Sequence, residues 1–272
     1  MTGTGRAGRA TPGAERDLTA AELDRALSYP YATPAGAYVV DAGTGAVERL
    51  PPGEGRAWAG DRHAVLAVGS NGAPEQLVRK FGAASGDRRI AVLAATVRDH
   101  DVAYAALVAP YGAIPATLAP SPGTAAAVKL TLLTDDQLVR MNETEGLGRS
   151  YLLDDVDPGA VDVGGGAAPG AAPVRHYAAI PGPLAVGGAP VALSAVAATR
   201  RRWPSRSEAE VLGDVAAALG TDVATFLRRV VRDPGVRSEV NARLHAGVGR
   251  PGPGTATPDA GAGPPVRQHG RL

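Results

Sequence analysis

The 272-residue sequence predicts an α+β protein. It should hold a small mixed or antiparallel β-barrel carrying a few helices, followed by a C-terminal helical extension. Three observations predict this. Many short apolar, strand-like runs between about residues 62 and 185 are separated by Gly/Pro turns, with few helical patterns among them. From about residue 190 the apolar residues recur at helical spacing instead. At Thr19/Glu22, Thr134/Gln137 and Ser207/Glu210 a Thr or Ser stands three positions ahead of a Glu or Gln, the capping-box spacing that opens a helix.

Residues 1–17 lack an apolar period and are expected to be disordered. Thr19 and Glu22 open a short helix through Leu27, ended by Tyr29-Pro30-Tyr31. Residues 37–40 and 46–50 flank Asp41-Ala42-Gly43-Thr44-Gly45 as a hairpin, which Pro51-Pro52-Gly53 breaks. This makes an N-terminal extension, 1–61. The main domain, 62–185, opens with a buried-type strand at 64–68 that ends in Gly69-Ser70-Asn71. Leu77, Val78 and Phe81 mark a helix over 74–81, with Asn71 or Gly72 as a loose cap. Residues 90–97 and 102–108 read as two strands around Arg98-Asp99-His100-Asp101. Residues 113–118 and 127–133 read as two more around the turn Pro120-Ser121-Pro122-Gly123. Strands follow at 151–156 and 174–180, separated by a Gly/Ala/Pro-rich, mobile insertion at 157–173. The extension at 186–248 holds a short helix or strand at 191–198 and then three helices. The second presents Val223, Phe226, Leu227 and Val230 on one face, and Asp233-Pro234 caps the third. Residues 249–272, Pro- and Gly-rich, are expected to be a disordered tail.

The stretch at 134–146 carries the most chemical information. Asp135 and Asp136 place negative charge in the first helical turn, and Gly146 is a natural stop. At about 100° per residue, Met141 and Glu145 share the face of Leu138, with Glu145 only about 20° from it, while Glu143 points roughly 140° away. A carboxylate turned toward an interior tends to hold its proton more tightly, a usual condition for general acid/base work near neutral pH. The alternative is a helix-end glutamate in solvent or paired with an arginine. In the Gly69-Ser70-Asn71 loop, glycine permits a close backbone approach, and the N–H groups with the Ser and Asn side chains could hold a carboxylate or oxyanion. The alternative there is an ordinary strand-to-helix turn.

Composition excludes several classes. There is no cysteine, hence no disulfide framework, thiolate metal site or cysteine nucleophile. The formal net charge of +1 argues against bulk electrostatic binding of nucleic acid. His63, His100, His176, His245 and His269 show no metal-ligand spacing, so no metal is expected. Arg200-Arg201-Arg202-Trp203 reads as a solvated patch more readily than as an anion site. No apolar run of about 18 residues suggests a membrane span. The start of the chain lacks an apolar secretory segment, so a cytoplasmic location is expected.

Taken in order, these pieces resemble the γ-glutamylcyclotransferase-like family over roughly residues 62–182. The match consists of Val68-Gly69-Ser70-Asn71 after the first strand, the strand from Gly112 to Leu118, the turn Ser121-Pro122-Gly123, and the helix from Leu138 to Gly146 with Glu145 before its glycine. The resemblance implies a small closed barrel, no cofactor, and a small γ-glutamyl-type molecule as partner. It assigns Glu145 as catalytic acid/base and gives Val68, Gly69, Ser70, Asn71 and Tyr151 to substrate binding. Tyr151 resembles the tyrosine that opens the next strand. The chain departs from the family at Val68, where the loop's tyrosine and its hydroxyl are missing. That departure favours a second reading, a non-catalytic small-ligand-binding module. A third is an interaction protein working through its C-terminal helices.

Overall fold

The computed structural model describes residues 16–164 and 173–247. The expected disordered start and tail, apart from Arg16 and Asp17, and the middle of the expected insertion lie outside the described residues. The fold is α+β, with one large, mostly antiparallel sheet and six α-helices among the described residues. The helices are α1 (Ala20–Leu27), α2 (Pro74–Phe81), α3 (Asp135–Glu145), α4 (Glu208–Ala218), α5 (Val223–Arg232) and α6 (Pro234–Ala246). The three expected capping boxes form at Thr19, Thr134 and Ser207, each with both reciprocal bonds.

Eight strands build most of the sheet: β1 (Ala37–Asp41), β2 (Ala46–Leu50), β3 (His63–Ala67), β4 (Arg89–Tyr104), β5 (Ala116–Leu133), β6 (Tyr151–Val156), β7 (Val161–Val163) and β8 (Val174–Ala179). The order β4-β5-β3-β8-β6 forms the centre. On the far side of β4, successive stretches pair with β1, β7 and the short strand Ala192–Leu193. Among the ladders of the described residues, only β3 with β8 and Ala192–Leu193 with Ser205–Arg206 run parallel. The hairpin of β1 and β2 is therefore an edge of the main sheet.

The sheet is not closed into a barrel. Among the described residues β6 forms a ladder only with β8, and no ladder joins it to the strands beyond β4. What read as four short strands is two long ones. β4 and β5 stay paired across the expected turn, with Arg98 opposite Ala125 and His100 opposite Pro120. Four residues of β5 thus face Asp99 alone, a large bulge. Pro120 and Pro122 have no N–H for the ladder. Asp99 Oδ1 accepts the Gly123 N–H at 2.8 Å, and Ser121 and Thr124 hydroxyls bond each other at 2.8 Å. The chain bulges there and the pair continues.

Strand alternation splits the core between the two faces. Leu66, Leu93, Val97, Leu130 and Leu132 face one cluster, shared with Ala26 of α1, Leu212 and Val215 of α4, Phe226 and Leu227 of α5, and Leu244 of α6. Val65, Ile90, Val92 and Leu133 face another, covered by Leu77 and Phe81 of α2 and Leu138 and Met141 of α3. The segments before residue 62 and after 185 thus add to the same core as the segment between. Part of the expected mobile insertion is also ordered into it. Val161 and Val163 are buried, and β7 pairs β4 through Ala95, Thr96 and Val97. The two valines flanking Asp162 supply the alternation that a strand against β4 needs.

Candidate functional site

α3 delivers Glu145 to the C-terminal end of β3. Gly146 ends the helix in the left-handed region, φ 65° and ψ 47°, where a side chain would be strained. Leu138 and Met141 are buried on the sheet side, and the Glu145 side chain on the same face is 14% exposed. Its surroundings are polar rather than apolar. Lys80 of α2, itself only 6% exposed, forms an ion pair with Glu145 Oε1, and its Nζ lies 3.3 Å from Met141 Sδ. Asn71 Nδ2 donates to the same Oε1 at 3.2 Å. The second carboxylate oxygen has no protein partner among the described residues and is left for the cavity. The partner is a lysine, which no sequence spacing marked. Glu143 is 60% exposed and paired with Arg140, although it still reaches the cavity rim.

The loop after β3 makes one 3-10 turn, Ser70–Gly72, before Pro74 opens α2. Ala73 holds the N-cap position with no side-chain bond, so neither Asn71 nor Gly72 caps the helix as expected. The turn intervenes, and the Asn71 amide is free to reach Glu145. Gly69 is required by a close approach. A Cβ there would lie 2.1 Å from the hydroxyl of Tyr29 and 3.3 Å from the Ala116 Cβ. Tyr29 Oη accepts the Ala116 N–H at 2.7 Å.

Val68, Gly69, Ser70, Asn71, Glu145 and Tyr151 all line one cavity of about 640 Å³, within the range of small-molecule sites. Every candidate residue from the sequence is therefore in one place. Tyr151 is buried, donates to the Ala116 carbonyl at 3.4 Å, and stacks edge-to-face with Tyr177 at 6.5 Å between centroids. Sequence reasoning missed Tyr29, Lys80, Tyr111, Arg149 and the α6 wall of Arg237, Ser238 and Asn241, which line the same cavity. Asn241 anchors α6 there, its Oδ1 accepting the Val108 N–H at 2.7 Å. Only the helical phase of α2, which puts Lys80 near the face of Gln76 and Leu77, could have pointed to one of them. Burial pushes the phenols of Tyr29, Tyr111, Tyr151 and Tyr177 well above their ordinary range. All four are neutral hydroxyls at physiological pH, able to donate hydrogen bonds.

Two other groups differ from expectation. Arg201 is not part of a solvated patch: it forms a two-pronged pair with the fully buried Asp101, at 2.9 and 3.0 Å, and donates to the Val196 carbonyl at 2.7 Å. Glu208, at the start of α4, is buried. Its Oε1 accepts the Ile114 N–H at 2.7 Å, Oε2 has no partner, and burial raises its pKa well above the carboxylate range. Among the described residues no group of three or more His, Asp or Glu is placed to hold a metal ion, and no helix is long and apolar enough to cross a membrane.

No family model and no curated protein sequence matches this chain. Two solved structures are similar to part of it: one of an uncharacterized protein from Homo sapiens, the other named gamma-glutamyl cyclotransferase. Each aligns at 18% identity and TM-score 0.35, covering 43% of this chain and 66% of its own. The chain thus spans just under two thirds of either neighbour.

Proposed function

We propose that this protein is a γ-glutamylcyclotransferase-like enzyme. It would cyclise the γ-glutamyl group of a small amine or peptide to 5-oxoproline and release the free amine, with no cofactor. One observation carries the reading. Glu145 and the Val68–Asn71 loop, some 75 residues apart in sequence, meet in one cavity, with Asn71 on one oxygen of Glu145 and the other oxygen without a partner among the described residues. The ordered sequence resemblance supports it.

In this mechanism the substrate folds so that its α-amino nitrogen faces its own γ-carbonyl carbon. Glu145 takes a proton from that nitrogen as the new C–N bond forms and the carbonyl electrons move onto oxygen. The tetrahedral intermediate then collapses, the old C–N bond breaks, and Glu145 returns its proton to the departing nitrogen. Nucleophile and electrophile belong to one molecule, so orientation supplies much of the rate. Lys80 and Asn71 fix the carboxylate so that only Oε2 shuttles.

The test is incubation with a panel of γ-glutamyl amino acids, peptides and amines, with 5-oxoproline scored by mass spectrometry. Release from at least one compound, abolished by Glu145→Gln, is expected. A second reading, a non-catalytic binding module, is favoured by the ion pair that ties Glu145 to Lys80. Binding of a γ-glutamyl compound without any turnover would select it.

A further inference from the structure

We propose that Tyr29 is a catalytic residue, its hydroxyl donating a hydrogen bond to the γ-carbonyl oxygen of the bound substrate. The inference rests on the cyclisation reading above. It concerns a residue from outside the stretch that carries the sequence resemblance.

Tyr29 follows α1 and is only 6% exposed, yet its ring borders the cavity that holds Glu145. The hydroxyl is held by the Ala116 N–H, which it accepts at 2.7 Å. No described residue accepts the hydroxyl's own proton, so one donor is left over in a polar cavity. Burial keeps the phenol protonated, as a donor must be. The hydroxyl sits against Gly69, where even a methyl group would collide with it. Glycine at 69 therefore lets Tyr29 reach over the loop.

Position 68 is valine, 7% exposed, and has no hydroxyl to offer. The structure fills the same neighbourhood with a phenol from a distant part of the chain. Tyr29, Val68 and Gly69 also line a second cavity of about 790 Å³. The three residues stand where the two cavities adjoin, and a carbonyl lodged there has the Tyr29 hydroxyl to hand.

In the reaction, the carbonyl oxygen gains charge as the amine nitrogen attacks and loses it as the old C–N bond breaks. A fixed donor stabilises that oxygen more in the transition state than in the ground state. Tyr29 gives up no proton; the single proton moved travels through Glu145.

The experiment measures 5-oxoproline release by wild type, Tyr29→Phe and Tyr31→Phe. Tyr31 is the control, being a buried tyrosine of the same turn whose hydroxyl donates to the Arg25 carbonyl at 3.0 Å and which does not line the Glu145 cavity. Tyr29→Phe should lower kcat by about 10²–10³-fold with KM changed far less, as for loss of one oxyanion donor. Tyr31→Phe should stay near wild type. If Tyr29→Phe does not fold, 3-fluorotyrosine at position 29 keeps both hydrogen bonds and makes the phenol a stronger donor; kcat should change. A wild-type kcat in Tyr29→Phe, or in the fluorinated protein where that substitution does not fold, overturns the proposal and leaves the cyclisation reading standing, provided Glu145→Gln is inactive. Absence of 5-oxoproline from wild type on every compound overturns both.

Discussion

Replacing Gly69 with alanine tests the geometry on which the site depends. The new Cβ would lie 2.1 Å from the Tyr29 hydroxyl, whereas ordinary contact begins at 3.4 Å, so the phenol must retreat by about 1.3 Å. That movement takes the hydroxyl off the Ala116 N–H, now bonded at 2.7 Å. A buried donor left unpaired costs about 1–3 kcal/mol. Overpacking adds about 1–3 kcal/mol. Reduced freedom of the unfolded chain returns roughly 0.4–1 kcal/mol. Gly69→Ala should therefore destabilise the protein by about 1–6 kcal/mol, read from urea unfolding. The decisive comparison is made in a Tyr29→Phe background. There the clashing oxygen is gone, and the nearest atoms are the Tyr29 ring carbon at 3.2 Å and the Ala116 Cβ at 3.3 Å. Gly69→Ala should cost about 1–3 kcal/mol less than in wild type. If the two substitutions add to within about 0.5 kcal/mol, Tyr29 does not sit on Gly69 and the site is built differently.

Three further outcomes are expected. Glu145→Gln should lower cyclisation by roughly two to four orders of magnitude, while Asp136→Asn, exposed at the other end of α3, leaves it unchanged; steady-state assays on a confirmed substrate decide. Glu208→Gln should change how stability depends on pH. The unfolded carboxyl ionises near its ordinary 4.5 while the buried native one keeps its proton, so wild-type stability falls as pH rises above 4.5, by up to about 1.4 kcal/mol per unit, until the raised native pKa is reached. Urea unfolding between pH 4 and 8 should show this fall in wild type and a flatter profile in the variant; parallel profiles would show that Glu208 ionises in the native state. Arg201→Ala should cost about 3–5 kcal/mol by leaving Asp101 buried and unpaired, and adding Asp101→Asn should recover part of it. A loss below about 1 kcal/mol would place the pair in solvent.

Local chemistry was the legible part of the sequence. Thr134 and Gln137 define the start of α3 and Gly146 its end, because a capping box and a left-handed stop are contacts within a few residues. The same holds for Ser207 with Glu210 and for Asp233 at the start of α6. Helical phase alone turned Glu145 toward the sheet and Glu143, 60% exposed, away from it. Where local signals were ambiguous, the reading went astray. Pro120-Ser121-Pro122-Gly123 has the composition of a turn, and it forms a bulge because β4 runs alongside on both sides of it. Val161 and Val163 lie in a Gly- and Pro-rich stretch, and pairing with β4 makes them a strand.

What surrounds Glu145 was settled only by tertiary structure. By itself the sequence placed a carboxylate on an inward helix face and a small polar loop after a strand. It also determined the helix ends, since those contacts close within one turn of chain. The fold decided that Lys80 pairs with Glu145, 65 positions away, and that Tyr29 reaches Ala116, 87 positions away, and sits against Gly69. It decided too that α6 walls the cavity, that Arg201 finds Asp101, and that the sheet stays open at β6. Each of these depends on packing between segments tens to hundreds of residues apart. No spacing rule encodes such contacts, because they arise where buried apolar faces of separate elements meet and bring their polar neighbours along.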